Sequence, residues 1–201
     1  MIDIDVLIMA GGKGTRLNLD QVEKPIIRIS GKPMINYICE ELQKSKFINN
    51  IWIATSKYTK KTMDYLRNYN IIETEGNGYV KDLNYAVQQI SSKYLLVSPC
   101  DLPLIRYITL DKLIEHYEKA TPNSLVVVVP TKYLNSIGFH HDYSFDIQNL
   151  EVVPCGVSIL DIDEFRTNDF VNEEHYISND LGFIMNVNTK NSILEVEKLL
   201  K

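Results

Sequence analysis

The residues best suited to chemistry cluster near the N-terminus, in Ala10-Gly11-Gly12-Lys13-Gly14-Thr15-Arg16. Three glycines strip this run of side chains, so backbone N–H groups can converge on phosphate oxygens, and Lys13 and Arg16 supply positive charge where those oxygens would sit. The spacing matches neither the Walker pattern G-x-x-x-x-G-K-[ST] nor the dinucleotide fingerprint G-x-G-x-x-G, which removes the two commonest nucleotide loops. The bland alternative is a flexible turn after an edge strand. A second lysine follows in Glu23-Lys24-Pro25. A residue before proline is expected to be extended, and that conformation would aim the Lys24 ammonium back at the same phosphates.

Such a loop needs a scaffold, and the chain supplies short β-rich apolar runs alternating with helix-period segments. Ile4 to Ala10 predicts a strand that ends in the glycine run. Pro33 opens a helix carrying Met34, Ile35, Ile38 and Leu42 at helical spacing. A second strand over Asn50–Thr55 precedes a Lys/Thr-rich helix, and Ile71-Ile72 marks a short third strand. Gly76-Asn77-Gly78 is turn chemistry before a helix over Tyr79–Ile90, and Tyr94–Ser98 is a fourth strand closed by Pro99-Cys100-Asp101. A helix over Thr109–Lys119 and a buried strand over Ser124–Val129 follow. Residues 131–150 read as an excursion and 161–180 as a polar stretch. Strands are expected over Val152–Ile159 and Phe183–Val187, and a last helix from Thr189, with Ile193, Val196 and Leu200 on its apolar face. The pattern predicts one α/β domain over residues 1–201, a mostly parallel open sheet with helices on both faces. Ligands in such sheets bind beyond the carboxyl ends of the strands.

Composition narrows the class. Of 201 residues, 45% are hydrophobic and 23% charged, as in ordinary globular proteins. Residues 1–61 hold 10 basic and 6 acidic side chains, whereas the rest hold 11 and 20, for a net charge of −5. A basic first third on an acidic body permits a local anion site and argues against a nucleic-acid binder. No apolar run is long enough to span a bilayer. Asp3 and Asp5 ahead of the first apolar run do not suit a signal peptide, so a cytoplasmic protein without membrane insertion is expected. Cys39, Cys100 and Cys155 lack disulfide or zinc spacing and are expected to be reduced, partly buried thiols. The four histidines show no metal-ligand spacing, and the pair His140-His141 reads as a solvated loop.

Several of these segments together resemble the nucleotidyltransferases of the GlmU/MobA superfamily, with a Rossmann-like fold. They are the strand ending in A-G-G-x-G-T-R-L, the Lys-Pro that follows, Gly31-Lys32-Pro33-Met34-Ile35, an Asp after the fourth strand, and Asn186-Val187-Asn188-Thr189. Within the superfamily the chain resembles the small archaeal GTP:adenosylcobinamide-phosphate guanylyltransferases. That likeness is carried by Ile53-Ala54-Thr55-Ser56, Gly76-Asn77-Gly78-Tyr79 with Asp82-Leu83-Asn84, Val153-Pro154-Cys155-Gly156-Val157, and Phe183 through Thr189.

The resemblance implies that Ala10 through Arg16 and Lys24 hold the GTP triphosphate, with Lys13 and Arg16 neutralising the departing pyrophosphate. Thr55, Ser56, Gly78 and Asp82 would lie along the guanine and ribose side. For Asp82, a guanine-reading carboxylate and an exposed helix N-terminus stand as alternatives. Asp101 follows the fourth strand, where a metal-using transferase keeps a carboxylate, and Mg²⁺ is typically held by one or two carboxylates plus substrate phosphates. Asn186 and Asn188, alternating on the expected strand, would face one way and complete the site, although Asn188 or Thr189 also suits a helix cap. Gly156 reads as a close approach of the acceptor or as a strand bulge. The implied partners are GTP and adenosylcobinamide phosphate, the implied cofactor Mg²⁺, and a homodimer is a reasonable expectation. No general base is needed, because a phosphate monoester with a second pKa of about 6 is already an anion near neutral pH. Rival readings are a molybdopterin guanylyltransferase, a sugar- or alditol-phosphate nucleotidyltransferase, and a nucleotide-binding protein without turnover.

Overall fold

Strand β1 (Ile4–Met9) shows why helices must cover both sides of the sheet. Ile4, Val6 and Ile8 are buried in one apolar cluster while Leu7 is buried in another, so the strand has no wet face. The computed structural model describes residues 2–17, 22–120, 122–136, 143–167 and 173–201. After β1 come a small hairpin of β2 (Arg28–Ile29) and β3 (Lys32–Pro33), α1 (Met34–Leu42), β4 (Ile48–Ser56), α2 (Lys60–Tyr65), β5 (Asn70–Thr74) and α3 (Tyr79–Val87). The chain continues through β6 (Tyr94–Pro99), α4 (Tyr107–Ala120), β7 (Ser124–Pro130), α5 (Thr131–Ser136), β8 (Phe145–Ile147) and β9 (Leu150–Asp161). It ends with α6 (Ile162–Thr167), β10 (Glu173–Ile177), α7 (Leu181–Ile184) and α8 (Lys190–Leu199).

Among the described residues the main sheet has the order β10-β7-β9-β6-β1-β4-β5, with β8 on β9. Pairs β1–β4, β1–β6, β4–β5 and β7–β10 are parallel, while β9 runs antiparallel to β6, β7 and β8. The expected α/β fold is present, and among the described strands of the main sheet β9 is the reversed one. Helices α1, α4 and α8 bury Ile35, Ile38, Leu110, Leu113, Ile114 and Val196 on one face. Helix α3 covers the other with Ala86 and Val87, joined by Ile90 and by Ile162 of α6. The outermost strands are β5 and β10, each five residues long, with Glu73 exposed in the first and Glu173 and Glu174 in the second. No helix among the described residues is long and apolar enough to cross a membrane.

Three expectations need correction. The segment from Phe183 is not a strand: Leu181–Ile184 is a short helix, capped by Asp180 Oδ1 accepting from Gly182 N–H at 2.8 Å. Phe183, Ile184, Met185 and Val187 are all buried, and a short apolar run cannot by its pattern distinguish a buried strand from a buried turn of helix. The polar stretch 161–180 supplies β10, whose mostly exposed side chains hide the signal of an edge strand. Lys24 is not extended; it opens a 3₁₀ turn over Lys24–Ile26, and the extended residue is Glu23. His140 and His141 lie outside the described residues.

Candidate active site

The glycine loop follows β1 at the carboxyl end of the sheet. Ala10 N–H donates to Ala54 O at 2.8 Å, so the loop leaves β1 still held to β4. At Gly11 a methyl group would sit 3.2 Å from both Ser56 Cβ and the Thr55 carbonyl carbon, and Ser56 Oγ donates to Gly11 O at 2.7 Å. That close approach explains the glycine. Gly12 has open space where a side chain would be, which leaves its backbone accessible to a ligand. Gly14 has a φ of +64° and packs on Lys24, its ideal Cβ 3.1 Å from Lys24 Cβ. Thr15 is exposed and begins a 3₁₀ turn over Thr15–Leu17 that buries Leu17. Lys13 is exposed, with Nζ 4.8 Å from the centre of the Tyr58 ring. Arg16 belongs to the turn by its backbone; its side chain lies outside the described ones.

Lys24 is positioned from both sides of its own backbone. The Glu23 carboxylate accepts from Lys61 N–H at 2.9 Å, Thr62 N–H at 2.6 Å and the Thr62 hydroxyl at 2.7 Å, and so caps the start of α2 from 38 positions upstream. Carboxylates suit that place because the first N–H groups of a helix lack intrahelical partners. Buried Pro25 fixes the following turn. The Lys24 ammonium then donates to Asp101 Oδ2 and, at 2.8 Å, to Asn188 Oδ1. Asp101 lies just past β6, and its carbonyl accepts from Val187 N–H at 2.9 Å, tying its loop to the chain that carries Asn188. Asn188 N–H donates to Ser192 Oγ at 3.0 Å, and Thr189 with Ser192 forms a reciprocal capping box on α8. Asn188 therefore faces the cleft while Thr189 caps the helix. Asn186 is half-buried and does not line the cleft, because the residues here are not in a strand and do not alternate.

The opposite wall is the turn before α3. Asp82 Oδ1 accepts from Gly76 N–H at 3.1 Å and from Asn77 N–H at 3.2 Å. Both lone pairs of that oxygen are thereby used, so Asp82 as placed cannot present two oxygens to a guanine edge; it fixes the turn. Gly76 has a φ of +71° and would drive a methyl group to 2.7 Å from the Tyr58 ring, while Gly78, with a φ of +112°, precedes α3 and has open space beside it. Thr55 and Ser56 do not line the cleft. Thr55 is fully buried, its hydroxyl without a hydrogen-bond partner, and Ser56 braces the glycine loop from below. Gly156, with a φ of +88°, sits where the pairing of β7 with β9 slips between Val126 and Val128, and packs against Pro99: it is a bulge beside β6.

Loop, Lys24, Asp101, Asn188, the Gly76–Gly78 turn, Asp82 and Tyr58 line one cleft of about 730 Å³. Cys100 lines it too, but burial, reinforced by the Asp101 carboxylate, pushes its thiol up to about 12, so it is no nucleophile near neutral pH. Cys39, Cys100 and Cys155 are all free thiols, as expected. Among the described residues no group of three or more His, Cys, Asp or Glu could hold a metal. Asp101 Oδ2 and Asn188 Oδ1 nevertheless converge on one cation, the Lys24 ammonium. Two hard oxygens on one point fit Mg²⁺, which keeps waters and takes further oxygens from substrate phosphates.

Glu23 and Tyr58 escape a reading of the sequence. Nothing near Glu23 signals that it caps a helix begun at Lys60, and Tyr58 looks like a surface tyrosine until the turn at Gly76 folds over it. Tyr79 also lines the cleft from the first turn of α3, directly after the turn glycines.

Residues 6–156 match the family model described as MobA-like NTP transferase domain. An adenosylcobinamide-phosphate guanylyltransferase of Methanocaldococcus jannaschii is 36% identical, over 98% of this chain and 98% of its own length. A molybdenum cofactor guanylyltransferase of Shewanella sediminis is 27% identical over 59% of each chain. Among solved structures, a putative glucose-1-phosphate thymidylyltransferase from Bacillus anthracis superposes with a TM-score of 0.72 at 14% identity, covering 98% of this chain and 94% of that one. A CMP:2-keto-3-deoxy-manno-octonic acid synthetase complexed with CTP does so with a TM-score of 0.69 at 12% identity, covering 99% and 98%; at such identities the likeness concerns the fold. By the model match over three-quarters of its length and by end-to-end similarity to a guanylyltransferase, the chain belongs to the MobA-like nucleotidyltransferase family.

Proposed function

We propose that this protein transfers GMP from GTP to adenosylcobinamide phosphate, releasing pyrophosphate. The acceptor's terminal phosphate oxygen attacks the α-phosphorus of GTP, the new P–O–P link forms, and the bond to the bridging α–β oxygen breaks. With an anionic nucleophile no side chain has to take a proton. The protein's task is positioning and charge neutralisation, the recurring requirements of phosphoryl-type transfer. Backbone N–H groups from Gly11 to Gly14, with Lys13 and Arg16, cradle the β- and γ-phosphates and stabilise the leaving group. The Gly76–Gly78 turn and Tyr58 bound the base and ribose side. Asp101 and Asn188 would hold Mg²⁺, which supplies charge neutralisation at the phosphate oxygens. Cytoplasmic operation and a homodimer are proposed on the same family resemblance.

The observation that carries this reading is the likeness to one guanylyltransferase over nearly the whole of both chains, which includes the regions around β8 to β10 as well as the nucleotide half. The molybdenum cofactor guanylyltransferase covers only 59% of the chain, and a molybdopterin acceptor is accordingly the second reading. Pyrophosphate release should be measured with GTP and adenosylcobinamide phosphate, then with CTP, UTP and ATP, and with a molybdopterin acceptor. Release requiring GTP and adenosylcobinamide phosphate is expected. Release only with molybdopterin would transfer the assignment, and GTP binding without release under any pairing would defeat the enzyme reading.

A further inference from the structure

We propose that Lys24 is the resting counter-ion of the metal-binding pair, an internal cation that holds Asp101 and Asn188 together in the free protein and yields both oxygens when metal and GTP arrive together. This inference rests on the reading above that Asp101 and Asn188 hold the metal.

The geometry points to competition for the same oxygens. The Lys24 ammonium engages Asp101 Oδ2 and Asn188 Oδ1 at once, and these are the two protein oxygens that converge in this part of the cleft. A divalent cation bound to both would occupy the ammonium's place, and two cations cannot share it against their mutual repulsion. The acceptors are the fixed partners, since Asp101 is tied to Val187 through its backbone and Asn188 to Ser192. Lys24 is held at its backbone by the Glu23 cap and the Pro25 turn, and beyond its Cβ the flexible four-carbon stem can swing once the ammonium is released. That stem starts beside Gly14, so the nearest alternative partner for the ammonium is a phosphate held by the glycine loop.

Energetics then order the loading. The side chains of Lys24 and Asp101 are only 15% and 13% exposed, so separating them without replacement leaves poorly solvated charges. Metal alone offers Asp101 a new partner but leaves the ammonium without one. GTP alone offers the ammonium a phosphate but strips Asp101. Together they satisfy every charge, so each should strengthen the other's binding, by reciprocal factors on the order of 5- to 150-fold. The lysine thereby disfavours a metal bound without its nucleotide.

The test uses Mn²⁺ as a spin-active probe, titrated into the full chain without nucleotide and followed by the signal of free Mn²⁺. Lys24→Met and, as a second variant, Lys24→Gln are expected to bind Mn²⁺ about tenfold or more tightly than the native protein. Lys13→Met removes a charge from the same cleft without touching Asp101 and is expected to leave Mn²⁺ affinity nearly unchanged. Asp101→Asn is expected to lose Mn²⁺ binding. Should neither Lys24 variant tighten Mn²⁺ binding while Asp101→Asn abolishes it, the counter-ion role is overturned and the metal assignment stands. Equal tightening by Lys13→Met would reduce the effect to general charge and likewise overturn it. Native-like Mn²⁺ binding by Asp101→Asn would overturn the metal assignment itself.

Discussion

Two cationic regions border the cleft, and they are built differently. Lys13 stands on an exposed loop with its ammonium resting over the Tyr58 ring, whereas Lys24 is packed under Gly14 and bonded to Asp101 and Asn188. The loop keeps its backbone open: beside Gly12 there is room, and an anion arriving there meets no side-chain ion pair among those described at Lys13. The junction around Lys24 is closed, with side chains from three distant parts of the chain satisfying one another. The difference separates two jobs. An exposed cation adds charge late and is screened by salt. A largely shielded pair holds its oxygens together beforehand.

Breaking the junction should have the largest effect. Asp101→Ala removes the carboxylate and leaves the Lys24 ammonium without its main partner; turnover measured by pyrophosphate release should fall on the order of 10²- to 10³-fold. A loss no greater than that of Lys13→Ala would erase the distinction between the regions. Next, Gly11→Ala and Gly12→Ala divide the loop into its braced and open parts. The first presses on Ser56 and the β4 backbone and should cost roughly 1–3 kcal/mol in thermal or denaturant unfolding. The second should stay within about 0.5 kcal/mol of native stability while weakening GTP binding. Equal stabilities would contradict the packing described for Gly11.

Lys13→Ala should lower kcat/KM for GTP about tenfold, the lower end for a hydrogen bond to a charged group, with an unchanged melting temperature. Its deficit should shrink at high salt, unlike that of Asp101→Ala. The smallest effect is expected from Glu23→Ala, which uncaps α2 at about 1 kcal/mol and loosens Lys24 only through its backbone. Glu23→Gln should recover part of both stability and activity, since an amide oxygen can still accept from Thr62. Full activity in Glu23→Ala would mean that Pro25 alone suffices to place Lys24.

Much of this was legible in the sequence, and the reason is locality. Ile4–Met9, Ser124–Pro130 and the helices with one apolar stripe carry their fold signal within a dozen residues, as does the glycine loop. Lys24, Asp101 and Asn188 could be nominated by type and position after a strand or before a helix, but not their mutual bonding across 77 and 164 positions. The expected strand over Phe183–Val187, on which Asn188 would alternate with Asn186, is absent, because that segment buries its apolar side chains as a helical turn and coil. The family resemblance puts Thr55 along the guanine and ribose side, yet its side chain points into the interior. The reversed direction of β9 follows from pairing with both β6 and β7, which no local pattern records.

The short acidic rims of the sheet have a consequence for crowded solution. A further copy docking its own β5 or β10 alongside would bring a second set of exposed carboxylates, from Glu73 or from Glu173 and Glu174, near the first along a five-residue ladder. Five residues offer little backbone bonding to offset that repulsion. At these two edges neighbouring molecules gain little by extending the sheet, and chains at high concentration are steered away from ribbon-like stacking there.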